Sequence, residues 1–282
     1  MSLNIEKKIA QIKKLISNAD SIIIGAGSGL STAAGLEYSG QRWEKTFPEF
    51  IKKYKMTDMY TSSFYNFKTE EEKWAYWARH LYVNNVGCDA FDLYKELYSF
   101  IKNKDYFVIT TNVDDQFYKS GFDKNRIFRT QGSYKYLQCS KGCNNKTYES
   151  SELIKKLNES IDKNLHVPSN LVPYCEKCNG PMDPNIRMND YFVEDNIFNE
   201  GKKNYINFLQ KCKGKKVVLI EMGIGMNTPG IIRFPFEKMT SQNANFHLVR
   251  LNMNELECII DLGDKVSLIP GDMKKSLELI LS

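Results

Sequence analysis

Histidine is scarce in this chain, with 3 in 282 residues, so chemistry that needs an imidazole has few places to reside. No apolar run approaches the ~18 residues that would span a bilayer, which excludes an integral helical membrane protein. There is also no dense basic block. The 39 Lys and Arg stand against 34 Asp and Glu, a net charge of +5 spread along the chain, which argues against nucleic-acid binding and favours an acidic protein partner. The opening MSLNIEKKIAQIKKLISNAD lacks the unbroken apolar stretch of a signal peptide. It predicts a helix with Ile5, Ile9, Ile12, Leu15 and Ile16 on one face, in a cytoplasmic protein. No internal repeat is found. What is present, 42% apolar and 12% aromatic residues with 17 Gly, is the profile of a globular chain able to bury a full core, and disorder or a collagen-like fold is excluded.

Short β-rich runs recur at Ser21–Ile24, Tyr106–Thr110, Arg126–Thr130, Lys216–Ile220, Phe246–Leu251 and Lys265–Ile269. Amphipathic stretches separate several of them, among them Phe91–Ile101, Glu200–Cys212 and Met273–Leu281. This alternation predicts an α/β fold, a Rossmann-like doubly wound parallel sheet with helices on both faces. Two segments break the pattern. Residues 43–83 hold all three Trp (Trp43, Trp74, Trp77) in a helical, aromatic-dense run, and residues 139–181 carry paired cysteines. We read them as two insertions that build a small second lobe over the sheet, leaving 1–42, 84–138 and 182–282 to the domain of the large sheet. The aromatics then serve mainly as the core of that smaller lobe.

Ligands of open parallel sheets bind at the carboxyl ends of the strands, near the reversal of strand order. The first strand runs into Gly25-Ala26-Gly27-Ser28-Gly29-Leu30-Ser31, a turn suited to holding a pyrophosphate on free backbone N–H groups, although its spacing is not a strict GxGxxG. The second ends in Thr110-Thr111-Asn112-Val113-Asp114 and the third in Thr130-Gln131-Gly132-Ser133. The fourth meets Gly223-Ile224-Gly225-Met226-Asn227, the fifth Asn252 and the sixth Gly271-Asp272. One such end would be ordinary turn chemistry; six at one sheet edge describe a site for a large polar ligand, best a dinucleotide.

Cys139 and Cys143, then Cys175 and Cys178 after 31 residues, have the spacing of two knuckles sharing a structural zinc ion, with no open position for chemistry. Cys88, Cys212 and Cys258 read as small buried hydrophobes.

Taken together, Gly27-Ser28-Gly29-Leu30-Ser31, Thr111-Asn112-Val113-Asp114, Gln131-Gly132-Ser133, the cysteine pairs, Gly223, Asn252 and Gly271-Asp272, in this order, resemble a sirtuin over almost the whole chain. The resemblance implies NAD as a consumed cosubstrate held between a Rossmann-like domain and a smaller helical and zinc-ribbon domain formed by the two insertions. It implies contacts from Gly27, Ser28, Gly29, Ser31, Leu36, Tyr38, Ser39, Thr111, Asn112, Asp114, Gln131, Gly223, Gly225, Asn227, Asn252 and Asp272, with Asn112, Asp114 and Gln131 in the catalytic roles.

The chain departs from most sirtuins where they carry a His general base, because that position is Gln131, whose amide cannot take a proton at neutral pH. Gly35-Leu36-Glu37-Tyr38-Ser39-Gly40 also lacks the family's usual Pro and Arg, and Thr111 stands where a Gln is usual. With Tyr38-Ser39-Gly40, Thr130-Gln131-Gly132 and Asn227-Thr228-Pro229, the set is similar to the bacterial class M sirtuins associated with macrodomain proteins. That likeness implies protein ADP-ribosylation, with a lipoyl-carrier protein as acceptor and a macrodomain protein as a further partner. The rival expectations are a lysine deacylase, an NAD hydrolase and a non-enzymatic NAD sensor. His80, His166 and His247 lie away from the strand ends and read as surface or core histidines.

Overall fold

The computed structural model describes residues 3–254 and 256–282. Its strands, in chain order, are β1 (Ser21–Ala26), β2 (Tyr106–Thr110), β3 (Ile127–Arg129), β4 (Gly132–Cys139), β5 (Tyr148–Glu149), β6 (Met182–Ile186), β7 (Val217–Met222), β8 (Phe246–Asn252) and β9 (Val266–Pro270). Six of them form one parallel sheet in the order β3-β2-β1-β7-β8-β9. These are the six strands expected from the sequence, with ends moved by a residue or two. The central strand β1 places Ile22 beside Tyr106 on one side and Val218 on the other.

β-branched side chains on both faces of a strand fit a sheet covered on both sides. Ile22 and Ile24 join a core under the helices Leu3–Asn18, Asp92–Ile101 and Met273–Leu281. Ile23 points the other way, into a core with Phe107, Leu219, Leu248, Phe208 and Phe236, beneath Asn196–Lys211 and Arg233–Gln242. No sequence pattern announces the buried ion cluster on that side. Arg250 of β8 pairs with Glu221 of β7 at 2.8 Å and with Glu237 of the helix at 2.7 Å, all three without solvent exposure.

The remaining strands make an antiparallel sheet in the order β5-β4-β6. Its buried side chains Tyr134, Leu137, Cys139 and Met182 share a second core with Trp43, Phe47, Phe50, Trp74, Tyr76 and Trp77. The principal helix of this lobe, Glu70–Leu81, starts where Thr69 accepts a hydrogen bond from the Glu72 N–H at 3.2 Å. Its three acidic residues Glu70, Glu71 and Glu72 favour the positive end of the helix dipole. The boundaries 138/139 and 181/182 fall at the last residue of β4 and the first of β6, so both strands lead into the cysteine segment and pack with it. β6 contains Asp183, Pro184 and Asn185, residues that rarely occur in strands, which is why its run gives no strand signal.

Candidate active site at the lobe interface

The order of the large sheet reverses between β1 and β7, and the glycine turns that follow these two strands touch. Gly29 N donates to the carbonyl of Gly223 at 3.1 Å. A Cβ on Gly29 would lie 2.7 Å from Gly223 Cα, and one on Gly27 would lie 2.7 Å from Gly223 O. Gly223 itself has φ +63°, a conformation that favours glycine. Any side chain at these positions would strike the backbone of the facing turn, so the two turns meet this closely only as bare glycine.

Beside these turns lies a cavity of about 670 Å³, walled by the large lobe on one side and the small lobe on the other. Ser28, Ser31, Leu36, Tyr38, Ser39, Thr111, Asn112, Asp114, Gln131 and Asn227, all anticipated, line it. Gly27 and Gly29 flank Ser28 in the turn beside it and pack on Gly223 rather than lining it. Gly225 sits in the exposed turn beyond β7. Two others have structural tasks at the sheet edge: Asn252 donates to the Ile224 carbonyl at 2.9 Å and so braces that turn, and Asp272 caps the last helix by accepting from Lys275 N.

The ends of β1 and β2 meet in a buried polar cluster. Asn112 Nδ2 donates to the Gly27 carbonyl and to Ser31 Oγ, each at 3.0 Å. Because a carbonyl only accepts, this contact orients the amide and leaves Asn112 Oδ1 as the atom it can offer a ligand. Ser31 Oγ also lies 2.5 Å from Asp114 Oδ2 and 3.0 Å from Tyr94 Oη, and Asp114 Oδ1 accepts from Gln116 N at 3.0 Å. Burial pushes the Asp114 carboxyl up to about 6 against these stabilising hydrogen bonds. Next to it Asp115, at φ +59°, turns the opposite way and pairs with Arg129 at 2.7 Å. Adjacent carboxylates thus serve different ends: Asp114 faces the cavity and Asp115 pins β3.

Gln131 follows β3. Its carbonyl accepts from Arg187 N at 3.0 Å, joining the end of β3 to the end of β6, and its side-chain Oε1 is buried without a hydrogen-bond partner among the described residues. Gly132 follows at φ +89°, where a Cβ would lie 1.9 Å from the Asn185 carbonyl, so this corner tolerates only glycine. A buried acceptor with no donor needs a ligand to complete it. Together with the glycine-rich turn that sets Ser28 on the cavity wall, it fits a dinucleotide that brings hydroxyl and amide donors. Thr32, Glu37, Val113, Tyr134, Ile186, Arg187 and Met188 also line the cavity, and Tyr94 stands behind it. Sequence reasoning missed them: Thr32 and Tyr94 lie on helices and Tyr134 and Ile186 on the unrecognised β4 and β6, whereas Glu37, Val113, Arg187 and Met188 are loop residues whose place at the cavity no motif marks.

In the small lobe the Sγ atoms of Cys139, Cys143, Cys175 and Cys178 all lie within 4.8 Å of one another. Cys139–Cys178 is 3.6 Å and Cys143–Cys175 is 3.5 Å. Tetrahedral bonds of ~2.3 Å place sulfurs about 3.8 Å apart, so the cluster fits one zinc ion. Of the other cysteines, Cys212 is fully buried, whereas Cys88 and Cys258 are only partly covered.

No helix among the described residues is long and apolar enough to cross a membrane. The family model described as "Sir2 family" matches residues 27–219. A protein of Staphylococcus aureus named "Protein ADP-ribosyltransferase" is 35% identical over 256 residues, covering 89% of this chain and 81% of that protein. A Fusarium oxysporum f. sp. cubense protein named "Probable bifunctional ADP-ribose hydrolase/ADP-ribosyltransferase" is 29% identical over 284 residues, which cover 95% of this chain and 47% of that protein, about half its length. A solved Sir2 complex with a p53 peptide and NAD+ has the same fold, with TM-score 0.56 and 17% identity over 96% of this chain and 97% of that one. With most of its length matched by the family model and a relative of this identity, the chain belongs to the Sir2 family.

Proposed function

We propose that this protein transfers ADP-ribose from NAD to a protein acceptor and releases nicotinamide. The observation that carries the reading is the side chain at position 131, an amide with a buried, unpartnered Oε1 at the cavity wall, where most sirtuins have an imidazole base. An amide holds ribose hydroxyls by hydrogen bonds and cannot take their protons, so the site orients the sugar for an external nucleophile. Breaking the bond between nicotinamide and ribose builds positive charge at the ribose carbon. Oriented dipoles and a nearby carboxylate favour that charge more than a strong base does. Asn112 Oδ1 serves the ribose, Asp114 the nicotinamide amide, and Gly27 to Ser31 the pyrophosphate. The name of the 35% identical Staphylococcus aureus relative supports the same reading.

The acceptor we favour is an acidic carrier protein of the lipoyl type, matched by the net charge of +5, and a macrodomain protein is the further partner, in the cytoplasm. The small domain is built on the segments 43–83 and 139–181 read from the sequence, with β4 and β6 at their borders pairing into its sheet. The test is incubation with labelled NAD and lysate, with and without lipoylated carrier protein, followed by mass spectrometry. Label on protein together with free nicotinamide is expected. O-acyl-ADP-ribose from an acyl-lysine peptide at an equal rate would replace the reading with deacylation. Free ADP-ribose alone would make the protein a hydrolase, and no nicotinamide at all would make it a sensor.

A further inference from the structure

His80 is fully buried on the helix Glu70–Leu81, and both of its ring nitrogens are engaged. Nδ1 lies 3.1 Å from Tyr76 Oη and Nε2 lies 2.9 Å from Tyr134 Oη. Tyr134 Oη lies 2.9 Å from Tyr38 Oη, and both Tyr134 and Tyr38 line the cavity. The polarity of this chain is set at its far end. Tyr76 Oη is 2.9 Å from the carbonyl of Met59, which only accepts, so the single phenolic proton of Tyr76 is committed there. Nδ1 must then carry the imidazole proton and donate it to Tyr76, which leaves Nε2 as an acceptor. Tyr134 therefore donates to Nε2, and Tyr38 donates to Tyr134. With its proton committed to Tyr134, the Tyr38 oxygen keeps only lone pairs for a further partner, and Tyr38 is on the cavity wall.

We infer that Tyr38, Tyr134 and His80 form a hydrogen-bonded wire whose negative end, the Tyr38 oxygen, faces the ribose of NAD. Tyr38 is the group that meets the cosubstrate; Tyr134 and His80 are positioning residues behind it. The inference rests on the NAD-cleaving reading above. Dipoles aligned head to tail polarise one another, and a preorganised negative end stabilises the positive charge that develops at the ribose carbon without reorganising at that moment. The wire carries orientation and moves no proton. Burial pushes the His80 imidazole down to about 3 and the Tyr38 phenol above its ordinary value, so both stay neutral in the working range.

Two measurements test it. Imidazole 15N shifts of the free protein should show His80 as the Nδ1–H tautomer, unchanged between pH 5 and 8; the Nε2–H tautomer would reverse the polarity and overturn the proposal. Tyr38→Phe and Tyr134→Phe keep the ring and remove one hydroxyl each. Each should slow nicotinamide release by about 10- to 100-fold at saturating NAD, and the double variant should be no slower than the slower single, because one broken link disables the wire. Unchanged release in Tyr134→Phe, or losses that multiply in the double variant, would overturn it. If the unmodified protein releases no nicotinamide, the transferase reading fails, while the tautomer measurement still decides the wire.

Discussion

The two lobes cohere by different means. The large lobe is a parallel sheet of aliphatic strands, with Ile22, Ile23, Ile24, Val108 and Leu219 wholly enclosed between helices. The small lobe has a three-stranded sheet, aromatic helices and four thiols at one point. Burial spread over many side chains is lost gradually when one is changed. A four-point cross-link fails as a unit, because each ligand is needed to hold the metal. The candidate site takes two polar networks: Ser31, Asn112, Asp114 and Tyr94 at the edge of the large sheet, and Tyr38, Tyr134 and His80 beside the aromatic core of the small lobe.

The sharpest way to break this comparison is to exchange equivalent atoms in the two lobes. Cys139→Ser, or strong chelation, should unfold the small lobe, visible as a red shift in tryptophan emission because Trp43, Trp74 and Trp77 all lie there. Metal analysis should find about one zinc per chain; fewer than about half an equivalent in fresh protein would show that packing alone holds the lobe.

The next effect is on turnover. Gln131→Ala should lower ADP-ribosyl transfer on the order of 10- to 1000-fold by freeing the ribose, with NAD binding measured by calorimetry reduced far less. Equal losses in binding and turnover would make Gln131 a general contact.

Asp114 sharpens the contrast within the large lobe, since it is a buried carboxyl on the wall of the cavity. Its folded value of about 6 exceeds the unfolded value of about 4. Below pH 4 the acid is neutral in both states and costs nothing. Between about 4 and 6 the unfolded chain ionises first, so stability falls as pH rises, and above 6 the whole penalty of roughly 2 to 3 kcal/mol is present. Asp114→Asn should therefore raise the free energy of unfolding in denaturant titrations at pH 7.5 by about that amount, and hardly at pH 4, while slowing nicotinamide release. An equal gain at both pH values would place the carboxyl in a polar environment.

The smallest effect is the control. Cys212→Ser, the same exchange made in the large lobe, should cost only about 1 to 2 kcal/mol for burying a hydroxyl and leave the fold and zinc content intact. Collapse of either would make the two lobes one cooperative unit.

The sheet strands were legible because a parallel sheet covered on both faces needs short β-branched runs, and such runs are rare elsewhere. The glycine turns, Asn112, Asp114 and Gln131 were legible because strand ends in this architecture meet at one edge. β4 and β6 were not: the Tyr134-Lys135-Tyr136 alternation of β4 breaks at Leu137-Gln138, Asp183, Pro184 and Asn185 disfavour a strand in β6, and both are fixed as strands by pairing with each other. His80 was readable only as a core histidine. Its partners Tyr38 and Tyr134 are 42 and 54 positions away, and no local spacing joins them.

What the sequence by itself determined is what depends on neighbours along the chain: the strand and helix periods, the glycines where backbone must approach backbone, the paired thiols, and the amide in place of an imidazole at 131. What only the tertiary structure decided is what depends on meeting in space. The closeness of Gly29 and Gly223, the polarity of the chain from Met59 through His80 to Tyr38, the buried Arg250 cluster and the raised carboxyl of Asp114 all arise from hydrogen bonding and desolvation between distant segments. Those terms exist only after the segments have been brought together and water has been removed from between them.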